Sequence, residues 1–230
     1  MMCGRFVLTA DPATIQQHFD LTTVPTQMSA RYNVAPTQPV AVISNDNHRE
    51  LTFYRWGLIP SWAKDMAIGN QMINARSETV EEKPAFRAAF KRRRCLIPAN
   101  GFYEWAKDGK AKKPMFVHLK NQELFAFAGL WEIWHSPDGG EIRSCTILTS
   151  EPNDLISPLH NRMAVILDKS NYDLWLSKDE LPPEVLKPLL RPYDENKMDV
   201  FEVSTLVNSP ANDLPECIVP LSATGQASLL

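Results

Sequence analysis

Residues 95–119 read CLIPANGFYEWAKDGKAKKPMFVHL. Three short runs rich in apolar, aromatic and β-branched side chains, at 95–97, 102–106 and 115–119, predict three β-strands. The Lys-Asp-Gly-Lys run at 107–110 is typical of a hairpin turn, which makes the second and third strands antiparallel neighbours. Most other connections between predicted strands are also too short for the crossover that parallel strands require.

The rest of the chain adds more strands than helices. Further strands are predicted at 3–9, 40–44, 51–56, 124–130, 143–148, 163–167 and 200–203, with a turn at 45–47. Helices are predicted from Asp11-Pro12 onwards and at 84–91, 171–176 and 183–190, whereas 31–36, 56–62 and 208–221 are interpreted as irregular. We therefore predict the α+β class. The expected architecture is a bent, largely antiparallel β-sheet, a partial barrel, with peripheral helices in one domain of residues 1–230.

The composition is that of an ordinary soluble globular protein, with 44% hydrophobic and 22% charged residues. The net charge of −3 argues against a protein that coats duplex DNA, and leaves room for a local basic groove. We expect no signal peptide and no membrane span. The four cysteines form no Cys-x-x-Cys pair and the five histidines show no ligand spacing. We therefore expect reduced thiols in a cytoplasmic protein, without a metal or cofactor.

Cys3 lies close enough to the start of the chain to carry two nucleophiles on adjacent carbons, if the preceding methionines are removed. The α-amine of such a 1,2-aminothiol condenses with an aldehyde to an imine, and the thiol then closes a five-membered thiazolidine ring. The alternative is a small, half-buried residue in an edge strand.

Glu104 and His160 are candidates for proton transfer. Strand alternation places Glu104 on the same face as Phe102 and opposite Tyr103, and desolvation among aromatic side chains suits its carboxyl to that role. The alternative is an edge-strand glutamate with its carboxylate in water. His160 precedes a predicted strand, where its ring can project into a cleft. The alternative is a structural histidine bonded to the backbone.

Several residues suit nucleic acid, although none identifies that ligand alone. Asn74 and Arg76 share a face if their segment is extended, and arginine suits a phosphate. Trp62 and Trp105 can stack on bases, although most tryptophans fill cores. Residues 87–94 form the only dense positive run in the sequence, and such a run is usually a solvated face.

Seven motifs, taken together and in order, carry a resemblance. They are MCGRF (2–6), RYNVAP (31–36), WGLIPSW (56–62), INARSET (73–79), CLIPANGFYEW (95–105), HNRM (160–163), and VN (207–208) with ND (212–213). This set strongly resembles the SRAP family of SOS-response-associated peptidases. The matches run from residue 2 to about residue 221, so the resemblance covers nearly the whole chain.

The resemblance implies a sensor of abasic sites in single-stranded DNA. In such proteins the exposed N-terminal cysteine forms a stable thiazolidine with the ring-opened deoxyribose, and a self-processing peptidase activity frees that cysteine. The catalytic residues implied here are Cys3, Asn74, Glu104 and His160. The implied roles are holding the cysteine and sugar for Asn74, proton shuttling for Glu104, and assistance at the sugar for His160.

The resemblance also implies how DNA is bound. The residues expected to contact DNA are Arg5, Pro36, Trp62, Arg76 and Arg162, to which we add Trp105 for its capacity to stack on a base. The expected partner is abasic single-stranded DNA, with no membrane, metal or cofactor. We expect a cytoplasmic monomer that associates with the nucleoid when it is bound to DNA.

Two features depart from the family pattern. Met1 precedes Met2, and ordinary methionine removal needs a small second residue. Either translation begins at Met2, which we favour, or self-cleavage removes both residues, or the chain as written does not crosslink. In addition, Asn161 follows His160 where the family often has Asp, and Ala164 stands where it often has Pro. Crosslink reversal or local DNA contacts are therefore expected to differ.

Two other functions stay open at this point. One is a thiol peptidase or amidohydrolase in which Cys3 is an N-terminal nucleophile. The other is a non-covalent single-strand binding module built on Trp62, Arg76 and the basic residues 92–94.

Overall fold

The computed structural model describes residues 4–109, 111–121 and 123–221. Its strands are β1 (Phe6–Leu8), β2 (Arg31–Val34), β3 (Pro39–Ser44), β4 (Asn47–Trp56), β5 (Asn74–Arg76), β6 (Arg94–Ala99), β7 (Gly101–Asp108), β8 (Ala111–Leu119), β9 (Phe125–His135), β10 (Glu141–Ser150), β11 (Met163–Ala164) and β12 (Met198–Glu202). Its α-helices are α1 (Pro12–Phe19), α2 (Arg87–Arg92), α3 (Tyr172–Trp175) and α4 (Pro183–Leu186). Short 3-10 helices lie at Met66–Gln71, Lys169–Asn171, Lys187–Leu189, Glu195–Lys197, Thr205–Asn208 and Pro215–Ile218. Within the described ranges, no helix is both long and apolar enough to cross a membrane.

A closed ring of five strands forms the centre of the fold. β10 pairs with β4, β4 with β3, β3 with β6, β6 with β9, and β9 pairs back with β10. β5 and β11 extend this ring from β10, and only the pairs of β10 with β4 and β5 in this sheet, as far as it is described, are parallel. A second sheet, in the order β12-β8-β7-β1-β2, is antiparallel. The predicted α+β class and largely antiparallel, barrel-like sheet are confirmed.

Local sequence signals correctly predict the start of α1 and the hairpin between β3 and β4. Asp11 caps α1 by accepting a hydrogen bond from the Thr14 amide at 2.9 Å, and Pro12 opens the helix, as predicted. The hairpin predicted around 45–47 is confirmed, since β3 and β4 are antiparallel neighbours. The predicted strand at 3–9 and the turn at 107–110 extend over Cys3 and Lys110, which lie outside the described residues.

Three predictions need correction. The segment 31–36 is not all loop, because Arg31–Val34 pairs with β1 as β2. The strand predicted at 163–167 covers only Met163–Ala164, since the chain then crosses from β10 to form an isolated bridge between Ile166 and Phe127 of β9. The helix predicted at 84–91 begins at Arg87, after a series of turns.

The main hydrophobic core fixes the start of β1. Phe6 is buried, with its ring 5.3 Å from that of Trp56 and 5.9 Å from that of Phe127, both in edge-to-face geometry. Burial of one such side chain stabilises a fold by roughly 1.5–3 kcal/mol. The buried Phe6 side chain therefore fixes the position from which Gly4 and Arg5 extend.

Candidate active site

A cavity opens just before the start of β1, where the neighbouring strand β7 continues. Phe6 of β1 pairs with Phe102 of β7, and the Tyr103 amide donates to the Arg5 carbonyl at 3.0 Å. Beyond that bond, β7 extends past the first residue of β1. A cavity of about 350 Å³ lies here, and its lining residues are Gly4, Arg5, Glu104, Trp105, Lys107, Lys112, Leu159 and His160.

Glu104 is buried at the cavity wall, with only 1% of its surface exposed. It pairs with Met115 of β8, beyond the Phe6–Phe102 pair that joins β7 to β1, and its burial shows that the alternative of a carboxylate in water is wrong. The predicted alternation is confirmed, since Phe102 belongs to the main core whereas Tyr103 packs in a separate cluster on the other face. A buried carboxyl beside a cavity is placed to exchange protons with a bound molecule.

His160 is held by the backbone and borders the same cavity. Its Nδ1 accepts a hydrogen bond from the Arg162 amide at 3.1 Å, which assigns the ring proton of the neutral form to Nε2. Burial lowers the pKa of His160, and the positive charges of Lys112 and Arg162 lower it further. The ring is therefore neutral near pH 7. The two sequence interpretations both hold, since one nitrogen is structural while the ring lines the cavity.

Arg5 lines the cavity while its guanidinium is bound within the protein. Its Nη1 donates to Asn33 Oδ1 at 3.0 Å and to the Val207 carbonyl at 2.8 Å, and its Nη2 donates to the Asn208 carbonyl at 3.4 Å. Burial lowers the pKa of Arg5. The group stays charged at neutral pH and fixes this wall of the cavity.

The two sequence motifs at 31–36 and 207–213 meet beside Arg5. The buried Asn33 Nδ2 donates to the carbonyls of Val207, Ser209 and Asn212 at 3.1, 3.0 and 2.7 Å. Asp213 accepts from the Arg31 side chain and from the amides of Tyr32 and Asn33. These bonds attach the C-terminal segment, residues 204–218, to β2 and so to the cavity wall.

Asn74, Arg76 and Arg162 lie around Thr149 rather than in the cavity lining. Asn74 and Arg76 are on β5, where Arg76 pairs with Thr149 of β10. Arg162 donates to the Thr149 carbonyl at 2.7 Å and, with both terminal nitrogens, to the Glu78 carboxylate at 2.6 and 2.7 Å. The pKa of Glu78 is lowered, first by the hydrogen bond from Arg162. Arg162 is thus largely committed to the protein, whereas the Arg76 side chain is exposed.

Trp62 and Pro36 are not among the residues that line the cavity. The Trp62 side chain is 59% exposed and follows Gly57, whose φ of +121° suits only glycine. A β-carbon on Gly57 would lie 2.5 Å from the Gly69 carbonyl oxygen, so these two glycines close the base of the loop that carries Trp62. Arg55 joins this loop to Thr37, next to Pro36, by donating to the Thr37 carbonyl and to Asn70 Oδ1, each at 2.7 Å.

The basic run at 87–94 is only partly a solvated face: Arg87, Lys91 and Arg92 are exposed, whereas Arg93 and Arg94 are bound within the protein. Arg94 is fully buried and donates to backbone carbonyls, including those of Trp175 and Ser177, and burial lowers its pKa to about 10. Arg93 pairs with the buried Glu132 at 2.6 Å, and Arg92 pairs with Glu180 at 2.8 Å. The spacing of charges in the sequence could not show this, because Glu132, Glu180 and the carbonyls of Trp175 and Ser177 lie on other elements.

The reactive-thiol prediction falls on Cys3, which lies outside the described residues; the peptide bond joins it to Gly4 of the cavity lining. The other cysteines, Cys95, Cys145 and Cys217, are buried. Burial raises the pKa of Cys95 and Cys145, which keeps these thiols protonated and poorly nucleophilic. Among residues 4–109, 111–121 and 123–221, no group of three His, Cys, Asp or Glu side chains could hold a metal ion.

The sequence did not point to four residues of the cavity lining, Gly4, Lys107, Lys112 and Leu159, or to Asn208, which contacts the lining residue Trp105. Lys107 and Lys112 are directly opposite each other across the β7–β8 hairpin, so the register of the predicted hairpin could have found them. Asn208 was quoted in a motif without a role, and it accepts a hydrogen bond from Trp105 Nε1 at 2.8 Å. Leu159 carried no signal in the sequence.

Comparison with known proteins places this site in a family. The family model described as SOS response associated peptidase (SRAP) matches residues 2–210, so the chain belongs to that family and the resemblance is confirmed. Abasic site processing protein YoqW of Bacillus subtilis (strain 168) is 48% identical over 221 residues, which cover 94% of this chain and 99% of YoqW. Abasic site processing protein HMCES of Gallus gallus is 32% identical, over 83% of this chain and 66% of HMCES. A crystal structure of a Bacteroides thetaiotaomicron protein superposes with a TM-score of 0.87 at 26% identity, covering 95% of this chain and 99% of that one.

Proposed function

We propose that this protein processes abasic sites in single-stranded DNA by covalent capture through Cys3. The observation that carries the proposal is the cavity that brings Gly4, the neighbour of Cys3 in the chain, together with the buried Glu104 and with His160. The names of the relatives, which are abasic site processing proteins, support the same substrate. Asn74, on β5, completes the proposed catalytic set as a residue that holds the cysteine and the opened sugar.

The proposed reaction is a condensation. The neutral α-amine of Cys3 attacks the C1′ aldehyde of the ring-opened deoxyribose, and the carbinolamine loses one water to give an imine. The thiol then adds to the imine carbon while its proton moves to the nitrogen, which closes the thiazolidine. Glu104 serves as the acid that assists loss of water and as the base that takes the amine proton, and the neutral His160 assists at the sugar.

Charge at the cavity suits the phosphodiester backbone. Lys107 and Lys112 are exposed at the cavity, and Arg5 adds a third positive charge against the single carboxyl of Glu104. Two like charges directly opposite on a hairpin destabilise it by roughly 0.2–1 kcal/mol, and a bound phosphate relieves that repulsion. Outside the cavity lining, Trp62 and Pro36 would contact bases.

The β5 side of the site would contribute further DNA contacts. Arg76 is exposed and so can reach a phosphate directly. Arg162, whose guanidinium is held by the ion pair with Glu78, would contact a DNA phosphate from a fixed position.

Adduct formation tests the proposal. The full chain and a chain that starts at Met2 are each incubated with a single-stranded oligonucleotide that carries one abasic site, and products are separated on a denaturing gel. A heat-stable adduct is expected, and it should disappear in Cys3→Ala and slow by at least tenfold in Glu104→Gln. Glu141→Gln, an exposed glutamate on β10, is the matched control and should react like the parent.

An undamaged oligonucleotide, and an abasic one whose aldehyde is blocked with methoxyamine, should give no adduct. An equal yield from Cys3→Ala and the parent contradicts the proposal. Salt-sensitive binding without any covalent product would instead support the non-covalent binding module.

Self-processing is the second part of the proposal, and the family description as a peptidase supports it. The intact mass of the purified protein is the test. A mature chain that begins at Cys3 in the parent and keeps its methionines in Glu104→Gln supports self-cleavage. Loss of the methionines in both proteins assigns removal to another enzyme.

We also propose that residues 1–230 act as one domain and as a monomer. One continuous hydrophobic cluster, which includes residues from Phe6 to Met198, supports a single folding unit. Size-exclusion chromatography with light scattering gives the mass in solution, and a dimer would contradict the monomer.

A further inference from the structure

We propose that Asn208 positions the Trp105 indole against the base next to the abasic sugar, an inference that rests on the proposed DNA-crosslinking function. Trp105 Nε1 donates to Asn208 Oδ1 at 2.8 Å, although the two residues are 103 positions apart in the chain. Trp105 follows Glu104 on β7 and lines the cavity. Asn208 is not among the residues that line the cavity, so its side chain would act there through Trp105.

The Trp105 ring depends on this bond for its orientation. The side chain is half-buried and lies at the margin of the cluster around Tyr103, with the two ring centroids 6.5 Å apart and the planes tilted by 47°. The Trp105 side chain is therefore less enclosed by packing than a core aromatic residue such as Trp175, which is fully buried. The bond to Asn208 satisfies the only polar group of the indole and sets the rotation of the ring at the cavity.

The backbone at Asn208 is held in place by hydrogen bonds from Arg5 and Asn33. It ends the 3-10 helix Thr205–Asn208, and its carbonyl accepts from Arg5 Nη2 at 3.4 Å. The preceding Val207 carbonyl accepts from Arg5 Nη1 at 2.8 Å and from Asn33 Nδ2 at 3.1 Å. The backbone that carries the Asn208 side chain is thus held relative to β1 and β2. One anchored segment therefore sets two cavity walls, Arg5 and Trp105.

A nucleobase is the chemical group that this wall suits. An indole whose N–H is already bonded offers a polarisable ring face without a competing polar group, and stacking on such a face accepts any base. Lys107 and Lys112 lie at the same cavity and suit the adjoining phosphates. A base that flanks an abasic sugar has lost a stacking neighbour, and Trp105 replaces it.

A double-mutant cycle tests the proposal. The rate of adduct formation with an abasic oligonucleotide is measured against protein concentration for Asn208→Leu, Trp105→Phe and the double variant. Asn208→Leu should raise the half-saturating concentration about fivefold, the effect of one net hydrogen bond, and leave the limiting rate unchanged. In the Trp105→Phe background, which has no indole N–H, Asn208→Leu should have no further effect.

Controls separate positioning from general damage. Asn196→Leu replaces another exposed asparagine of the same region, away from the cavity, and should match the parent. Asn208→Ala carries the same expectation as Asn208→Leu and replaces it if the leucine variant does not fold. Parent-like kinetics in the folded Asn208 variants, or full additivity in the cycle, overturn the inference. A parent that forms no adduct contradicts the proposed function instead.

Discussion

Asn33→Ala tests how strongly the attachment of the C-terminal segment, residues 204–218, depends on one buried amide. The Asn33 side chain is fully buried, and its Nδ2 donates to three carbonyls of residues 207–212. The two Nδ2 hydrogens are shared among those carbonyls, and Oδ1 accepts a further bond from Arg5 at 3.0 Å. At about 1 kcal/mol for each of these three net hydrogen bonds, removal of the side chain costs about 3 kcal/mol. For a chain of this size that corresponds to a decrease in Tm of about 6–12 °C.

The assays are urea denaturation and hydrogen exchange. The free energy of unfolding should fall by about 3 kcal/mol, and exchange should rise first at residues 204–218 and then at Trp105, because its partner Asn208 lies in that segment. Asn47→Ala is the control, since that exposed side chain bonds only to Glu50 among the described residues, and a change within about 0.5 kcal/mol is expected. A loss below about 1 kcal/mol for Asn33→Ala, or exchange that rises uniformly along the chain, would refute this reasoning.

Two further predictions concern charge. The double variant Lys107→Gln and Lys112→Gln should weaken binding of abasic single-stranded DNA and make the slope of log K against log salt shallower by about 1.4. The same changes at the exposed Lys120 and Lys178 should leave that slope unchanged. An unchanged slope in the Lys107 and Lys112 variant contradicts the phosphate contact. Because burial lowers the pKa of His160, the unfolded chain binds a proton there more readily than the folded chain. The stability that this adds is present above the ordinary histidine pKa of about 6.5 and is lost as the pH falls from there towards the lower folded pKa. The parent should therefore lose more unfolding free energy than His160→Gln between pH 7.5 and pH 5, as measured by urea denaturation, and parallel losses would contradict the shift.

The parts of the fold that were predicted correctly are those whose signals are local. The hairpin of β7 and β8 is carried by apolar alternation around a short turn, and the start of α1 by Asp11 and Pro12. The segment β2 was missed because its reason is remote: its amides bond to Asp213, which lies 181 positions from Tyr32. No pattern within a window of a few residues contains that partner.

The site shows the same division between local and remote causes. Alternation within β7 correctly set Glu104 and Phe102 on the face opposite Tyr103, but only the three-dimensional packing shows that the Glu104 carboxyl is buried. For the basic run at 87–94, in contrast, the local sequence signal was misleading. Arg94 reads as a surface charge in the sequence, and its burial follows from carbonyls on distant turns such as that of Ser177. Charge density in a sequence predicts a DNA-binding surface only where the partners of those charges are known.

The position of the covalent bond tests the central claim most directly. The adduct between the parent and an abasic oligonucleotide is digested with nuclease and trypsin, and the modified peptide is identified by mass spectrometry. The account predicts modification of the peptide Cys3-Gly4-Arg5, at the mass of peptide plus sugar remnant minus one water, stable without a reducing agent. An adduct on Lys107 or Lys112, or one that persists unchanged in Cys3→Ala, would contradict it.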